Sequence, residues 1–216
     1  MPKTVILLVR HGETDDNKAL IFQGQSGAGL NARGREQAEL LAARLARAPR
    51  PAALYSSDLQ RARETADVLG RALRLEAALD VDLRESYLGA WEGLSYGEIA
   101  ERFPDELAAW RAGRDIKRGG GESYAELGDR VTRAIDRIAA AHAGGTAIVV
   151  SHGAALKTFG ARVLLMPTEG LRALRVQANT GVTVVEHDGE GYRLLVWNDE
   201  AHLQDPVVAA LATAEP

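Results

Sequence analysis

Two rhythms of apolar and polar residues alternate along this chain, and their order sets the expected fold. An apolar, β-branched run from Thr4 to Val9 stops abruptly at Arg10-His11-Gly12. It reads as a buried strand that delivers two polar side chains to its C-terminal edge. A helical stretch near Glu13–Leu20 and a Gly-rich loop, Gln23–Gly29, come next. Ala38, Leu41, Ala42 and Leu45 recur at helical spacing within Asn31–Arg47, which Pro49 and Pro51 close. Ala52–Ser56 is a short strand, Asp58–Leu73 an amphipathic helix, and Leu83–Gly97 an ordered loop opening a helix. Further helices are expected over Phe103–Arg114 and Tyr124–Ala143, separated by Gly119-Gly120-Gly121.

A second apolar strand, Thr146–Val150, ends in Ser151-His152-Gly153 and leads into a helix through Val163. Late strands are read at Leu171–Gln177, Val182–Glu186 and Arg193–Trp197, the last two joined by a turn at Asp188–Gly191. The tail after His202 is Ala-rich and prone to fraying. With no linker and no repeat, the expectation is one α/β domain over residues 1–216. It is a three-layer α/β/α sandwich with a mostly parallel central sheet.

Both strongly apolar strands thus end in the same device: a polar residue, then His, then Gly. Neighbouring parallel strands would bring both histidines to the edge where open α/β sheets bind ligands. An arginine beside a histidine offers a fixed cation that grips phosphate, next to an imidazole able to attack phosphorus.

Composition narrows the partners. Hydrophobic content of 46% and charged content of 26% are ordinary for a globular protein, and a net charge of -4 gives nucleic acid no footing. The absence of cysteine excludes a disulfide scaffold, a thiol nucleophile and cysteine-based zinc sites. No run approaches a membrane span, and the N-terminus lacks the form of a signal peptide, so a cytoplasmic protein is expected. An edge strand at Arg193–Trp197 would serve a homodimer.

The blocks Leu8–Thr14, Ser57–Ala62, Leu83-Arg84-Glu85, Gly89–Gly93, Gly120–Ser123 and Ser151-His152-Gly153 occur together and in order. In this combination the chain resembles the histidine phosphatase superfamily, the phosphoglycerate mutase-like proteins. The resemblance implies a nucleophilic His11 that becomes a phosphohistidine, with Arg10, Arg61 and His152 as the phosphate pocket and Glu85 as general acid. It places Asn17, Gln23, Gly24, Ser123 and Ala154 against the substrate, and it requires no metal and no cofactor.

Physical reasoning bears on each role. Nearby cations disfavour imidazolium at His11. A Ser56-Ser57-Asp58 N-cap would put Arg61 in the first turn of its helix, with Arg63 on the solvated face. Apolar neighbours Tyr87, Leu88 and Trp91 would favour a protonated Glu85 and nearby cations an ionised one, while helix capping or a salt bridge with Arg84 is the competing, purely structural role. His142, His187 and His202 read as surface histidines, and Trp110 and Trp197 as packing residues.

Two departures separate the chain from the superfamily's cofactor-dependent mutases. Ala154 replaces an Asn after the second His-Gly, and Leu88 and Tyr96 stand where a Tyr and a Lys would follow the acid. The mutases' paired arginines lack a clear counterpart, leaving Arg114, Lys117 and Arg118 as candidates for a second anion contact. The resemblance therefore implies a metal-independent phosphomonoesterase of small metabolites. The alternatives are a phosphoglycerate mutase and a non-catalytic phospho-ligand or protein-binding module.

Overall fold

Strand β1 (Thr4–Arg10) lies near the centre of the sheet because both of its faces are apolar. A computed structural model describes residues 2–204, so the expected fraying of the tail falls, from residue 205 on, outside the described residues. After β1 come α1 (Asp15–Lys18), β2 (Ile21–Phe22), α2 (Ala32–Leu45), β3 (Ala53–Ser56), α3 (Gln60–Leu73) and β4 (Ala77–Leu79). Then follow β5 (Leu94–Ser95), α4 (Tyr96–Arg102), α5 (Pro104–Arg111), α6 (Tyr124–Ala141), β6 (Thr146–Ser151) and α7 (Gly153–Val163). The last elements are β7 (Val182–His187) and β8 (Tyr192–Asp199).

The main sheet has the order β4-β3-β6-β1-β7-β8. Only β7 runs against the others, since it is antiparallel to both β1 and β8. Ile6, Leu8, Ala147 and Val149 face α6 and α7, burying Leu127, Val131, Ile135, Leu156 and Phe159. Val9, Leu54, Ile148 and Val150 face α2 and α3, burying Ala38, Leu41, Ala66 and Leu69. The result is the expected three-layer sandwich. A third, smaller cluster joins Leu88, Trp91, Ile99 and Leu107 with Phe22 and Trp110, above the C-terminal edge of the sheet. Trp91 is wholly buried in it. No helix among the described residues is long and apolar enough to cross a membrane.

Three local expectations are corrected. Leu171–Gln177 forms no strand: Pro167 and Gly170 bend the chain into a 3₁₀ turn over Thr168–Ala173, and the Gln177 carbonyl is taken by Arg10 instead of a neighbouring strand. The N-cap of α3 is Leu59, not the Ser56–Asp58 segment, although Ser57 Oγ accepts the Leu59 N–H. Strand β4 and the two-residue β2–β5 pair had no readable pattern, because Ala-Ala-Leu is a poor strand former and two residues have no period. His202 is also no surface histidine. It is half-buried, with Nε2 at 2.9 Å from Thr180 Oγ1, and burial pulls its pKa down to about 4.

One close approach fixes the segment after β1. A Cβ on Gly34 would lie 2.1 Å from the Glu13 carbonyl oxygen, and one on Gly12 would lie 2.5 Å from that of Gly34. The start of α2 is therefore packed backbone to backbone on the turn that carries His11. Gly34→Ala is expected to cost roughly 1–3 kcal/mol of overpacking and lower Tm by about 3–10 °C in a chain of this size. Gly191→Ala, where a Cβ meets open space, is the control. Equal melting temperatures for the two variants would remove this constraint.

Candidate active site

The parallel register of β1 and β6 sets Arg10 opposite Ser151. The next residues of the two strands, His11 and His152, therefore stand side by side with ring centroids 5.1 Å apart. Both are almost fully buried. His11 Nδ1 lies 2.7 Å from the Gly12 carbonyl oxygen. A carbonyl only accepts, so Nδ1 carries the proton and Nε2 keeps its lone pair. Asn179 Nδ2 donates to the His11 carbonyl and to Asn17 Oδ1, bracing the turn from the far side.

Two guanidiniums flank the rings. Arg61, in the first turn of α3, donates Nη1 to Ser26 O at 2.7 Å and Nη2 to Gly24 O at 2.6 Å. Arg10 donates Nη1 to Gln177 O at 2.6 Å. Both keep a buried Nε without a partner, and so does Nδ1 of His152, whose Nε2 lies 2.8 Å from Ser57 Oγ. All three belong to side chains close to His11, a donor set suited to an anion. Arg63, two residues on from Arg61, is exposed as expected.

Glu85 is positioned by a helix end. Its carboxyl accepts from Ala154 N at 3.0 Å and Ala155 N at 3.1 Å in the first turn of α7, and from Ser86 N at 2.8 Å. Arg130 donates to the carbonyls of Asp82, Arg84 and Glu85 while pairing with Glu122, which fixes the segment. Two expectations fail here. Arg84 pairs with Asp58, not with Glu85, so of the structural alternatives only helix capping is met, and Tyr87 is half exposed and supplies no apolar shield.

The cleft is open to solvent and has a volume of about 270 Å³. Arg10, His11, Asn17, Gln23, Gly24, Arg61, Glu85 and Ala154 all line it. His152 lies beneath, against His11. Ser123 is a correction: it is absent from the cleft wall and caps α6, its Oγ accepting Glu126 N–H while Glu126 answers Ser123 N–H. The pattern Ser-x-x-Glu carried that signal. The residues missed are Ser57, Ser86 and Tyr124, together with the backbone acceptor Gln177. Of the three candidates for a second anion contact, only Arg118 lies in the cleft; Arg114 is exposed, and Lys117 pairs with Glu126 at the surface.

Electrostatics keep the site free of imidazolium. Burial, then the charges of Arg61 and Arg10, hold His11 well below the ordinary histidine value, although the Gly12 hydrogen bond opposes this. Burial, then Arg61, His11 and Arg10, do the same to His152. Burial also lowers both arginines. The unfolded chain takes up protons at these histidines near pH ~6.5 that the folded chain refuses. Their contribution to stability is therefore full above that pH and is lost as pH falls toward the depressed folded values. His11 and His152 ring resonances are expected to stay in the neutral form between pH 7 and 5.5, and Tm to fall over that interval. A ring titration near 6.5 for His11 would contradict this environment.

Comparison with known proteins agrees with the geometry. The model of the histidine phosphatase superfamily (branch 1) matches residues 6–200. Phosphoglycerate mutase-like protein 4 of Arabidopsis thaliana is 38% identical, covering 93% of this chain and 87% of that protein. The metal-independent phosphoserine phosphatase of the same plant is 37% identical over 93% of this chain and 83% of its own. Among solved structures, a histidine-to-alanine variant of phosphoserine phosphatase from Entamoeba histolytica, in complex with phosphoserine, superimposes with a TM-score of 0.84 at 27% identity. That match covers 93% of this chain and 100% of the other. With twin strand ends, paired buried histidines and this match along nearly its whole length, the chain belongs to the histidine phosphatase superfamily.

Proposed function

We propose that this phosphoric monoester hydrolase acts on small phosphorylated metabolites, without a metal ion, through a phosphohistidine on His11. The observation that carries the reading is a neutral imidazole of defined tautomer beside two guanidiniums and a second buried histidine. Nε2 of His11 attacks phosphorus in line with the leaving oxygen, and the P–O bond breaks as the P–N bond forms. Arg10, Arg61 and His152 stabilise the charge on the equatorial oxygens. With the Ser57 hydroxyl donating to Nε2 of His152, Nδ1–H is the donor left for phosphate. Glu85 gives its proton to the departing alcohol. It then takes one from water, whose oxygen attacks phosphorus and releases phosphate and neutral His11.

Two further facts support a phosphatase over a mutase. The relative at 37% identity is a metal-independent phosphoserine phosphatase. Ala154 presents only a methyl group to the cleft where the superfamily's mutases have an amide. Asn17, Gln23 and Gly24 contact the phosphoryl group or the substrate in this reading.

His11→Ala is expected to reduce turnover by more than about a thousandfold without loss of fold, because little core is removed. Phosphate release from the wild type persists with excess chelator. Glu85→Gln slows alkyl phosphates by about a hundredfold, and p-nitrophenyl phosphate much less, since its leaving group needs no proton. Equal slowing of both ester types would take the acid role from Glu85. Primer-dependent interconversion of 2- and 3-phosphoglycerate with little phosphate release would replace the hydrolase by a mutase.

A further inference from the structure

The turn that carries His11 is held by a loop whose own conformation is strained. Thr180 is wholly buried and has φ +58°. A β-branched residue in the left-handed region is costly, and it persists only where surrounding contacts over-determine it. With that φ the Thr180 N–H meets two consecutive carbonyls at the end of β1, Arg10 O at 2.9 Å and His11 O at 3.3 Å. Asn179 Nδ2 donates to the same His11 carbonyl at 3.0 Å. Gly181 O accepts the Arg10 N–H at 3.3 Å, and Gln177 O accepts from the Arg10 guanidinium. The single loop Gln177–Gly181 therefore grips the backbone of Arg10 and His11 and the Arg10 side chain as well.

The loop is held in turn from the end of β8. Thr180 Oγ1 donates to Asn179 O at 2.7 Å, so toward His202 Nε2, at 2.9 Å, it acts as acceptor. His202 is therefore the Nε2–H tautomer. Burial, then the charge of Arg44, outweigh Asp199 and pull its pKa down to about 4, so at neutral pH the bond keeps this one direction. Asn198, itself at φ +55°, accepts the Ala178 N–H at 2.7 Å through Oδ1. A Cβ on Gly181 would lie 2.4 Å from that Oδ1, so loop and strand meet without a gap. Asp199 ties the same segment to α2 by pairing with Arg44. Thr180, Asn198 and His202 all lie outside the cleft wall.

Glycine would take the conformation of residue 180 without strain. It would also leave His202 with no hydroxyl to hold. The threonine is thus explained by its side chain, and the side chain by its link to His202. In-line attack needs the reacting atoms about 3–3.5 Å apart and aligned. The peptide that sets this aim for His11 Nε2 is the one the loop grips.

We propose that His202 is a positioning residue for the nucleophile: through the Thr180 hydroxyl it fixes the Arg10–His11 peptide and so the aim of His11 Nε2 at phosphorus. This rests on the phosphatase reading above and extends it to a residue outside the cleft.

The test uses p-nitrophenyl phosphate, whose leaving group needs no proton from Glu85, so that kcat/KM reports attack by His11. Inorganic phosphate, as a competitive inhibitor, reports the cations separately. In His202→Leu and in Thr180→Val, kcat/KM is expected to fall by about 10- to 100-fold while Ki for phosphate moves by less than about threefold. The double variant is no slower than the slower single one, because both remove the same bond. His202→Gln, whose Nε2 can donate to Thr180 Oγ1, recovers most of the rate. Assays run well below each variant's Tm, so lowered stability alone moves neither constant. Wild-type kcat/KM in Thr180→Val, additive losses in the double variant, or no recovery with Gln would each overturn the assignment. So would a phosphate Ki that rises as far as kcat/KM falls, which marks general loosening of the cleft. Should His202→Leu not fold, Thr180→Val decides, since it keeps the volume and removes only the hydroxyl. Failure of the wild type to release phosphate from any ester would instead defeat the phosphatase reading.

Discussion

Positive charge held away from water, with no carboxylate at ion-pair distance among the described residues, is the condition around which this molecule is arranged. Arg61 is buried and Arg10 partly buried at the C-terminal edge of the sheet, and desolvation pulls both below their ordinary values. Neither is neutralised by a carboxylate at ion-pair distance among the described residues. They are held by carbonyl groups of Gln177, Ser26 and Gly24. Backbone carbonyls satisfy N–H groups without cancelling the charge, so the positive potential survives for a ligand. Burial first, and that potential second, keep His11 and His152 unprotonated, which is the form in which an imidazole can attack. The same two guanidiniums thus serve phosphate affinity directly and, by adding to burial, help keep the nucleophile neutral.

The N-terminus of α7 is put to a different use from the one its position suggests. A helix start beside a phosphate pocket is a ready anion site. Here the amides of Ala154 and Ala155 are occupied by Glu85. The helix end therefore fixes the carboxyl group, and the phosphoryl oxygens are left to side chains. Arg130 secures the same segment by gathering three of its carbonyls. The placement of Glu85 thus depends on α6 and α7 together, the two helices that pack on the face of the sheet opposite α2 and α3.

What was legible in the sequence was what short patterns encode. Two apolar runs ending in His-Gly give both central strands and place both rings, because strand period and parallel pairing leave little freedom. The small β2–β5 sheet was not legible, since two-residue strands have no periodicity. Ser123 was assigned to the pocket through its place in a shared block, while its own local chemistry, a Ser three residues before a Glu at the start of an apolar helix, marked a capping box. Arg118 was legible only as one of three basic residues. Nothing local separates it from Lys117, and the difference is made by long-range packing of Gly119 and Gly121 against the Tyr87–Trp91 segment. Gln177 and Asn179 had no signal at all, because their contributions come from where the chain passes between the 3₁₀ turn and β7.

The three arginines of the cleft share one design, and its physical consequence is preorganisation. In each, one or two terminal nitrogens are bound to fixed oxygens of the protein while Nε is left without a partner. A free arginine side chain would lose rotamer entropy on gripping an anion. These have lost it already, on folding, through bonds that are present whether or not ligand is bound. The dipoles are aimed before the substrate arrives, and little reorganisation remains for the step in which charge spreads over the phosphoryl oxygens. The same arrangement makes the site selective, because a rigid cation leaves a neutral ligand facing an unmet charge.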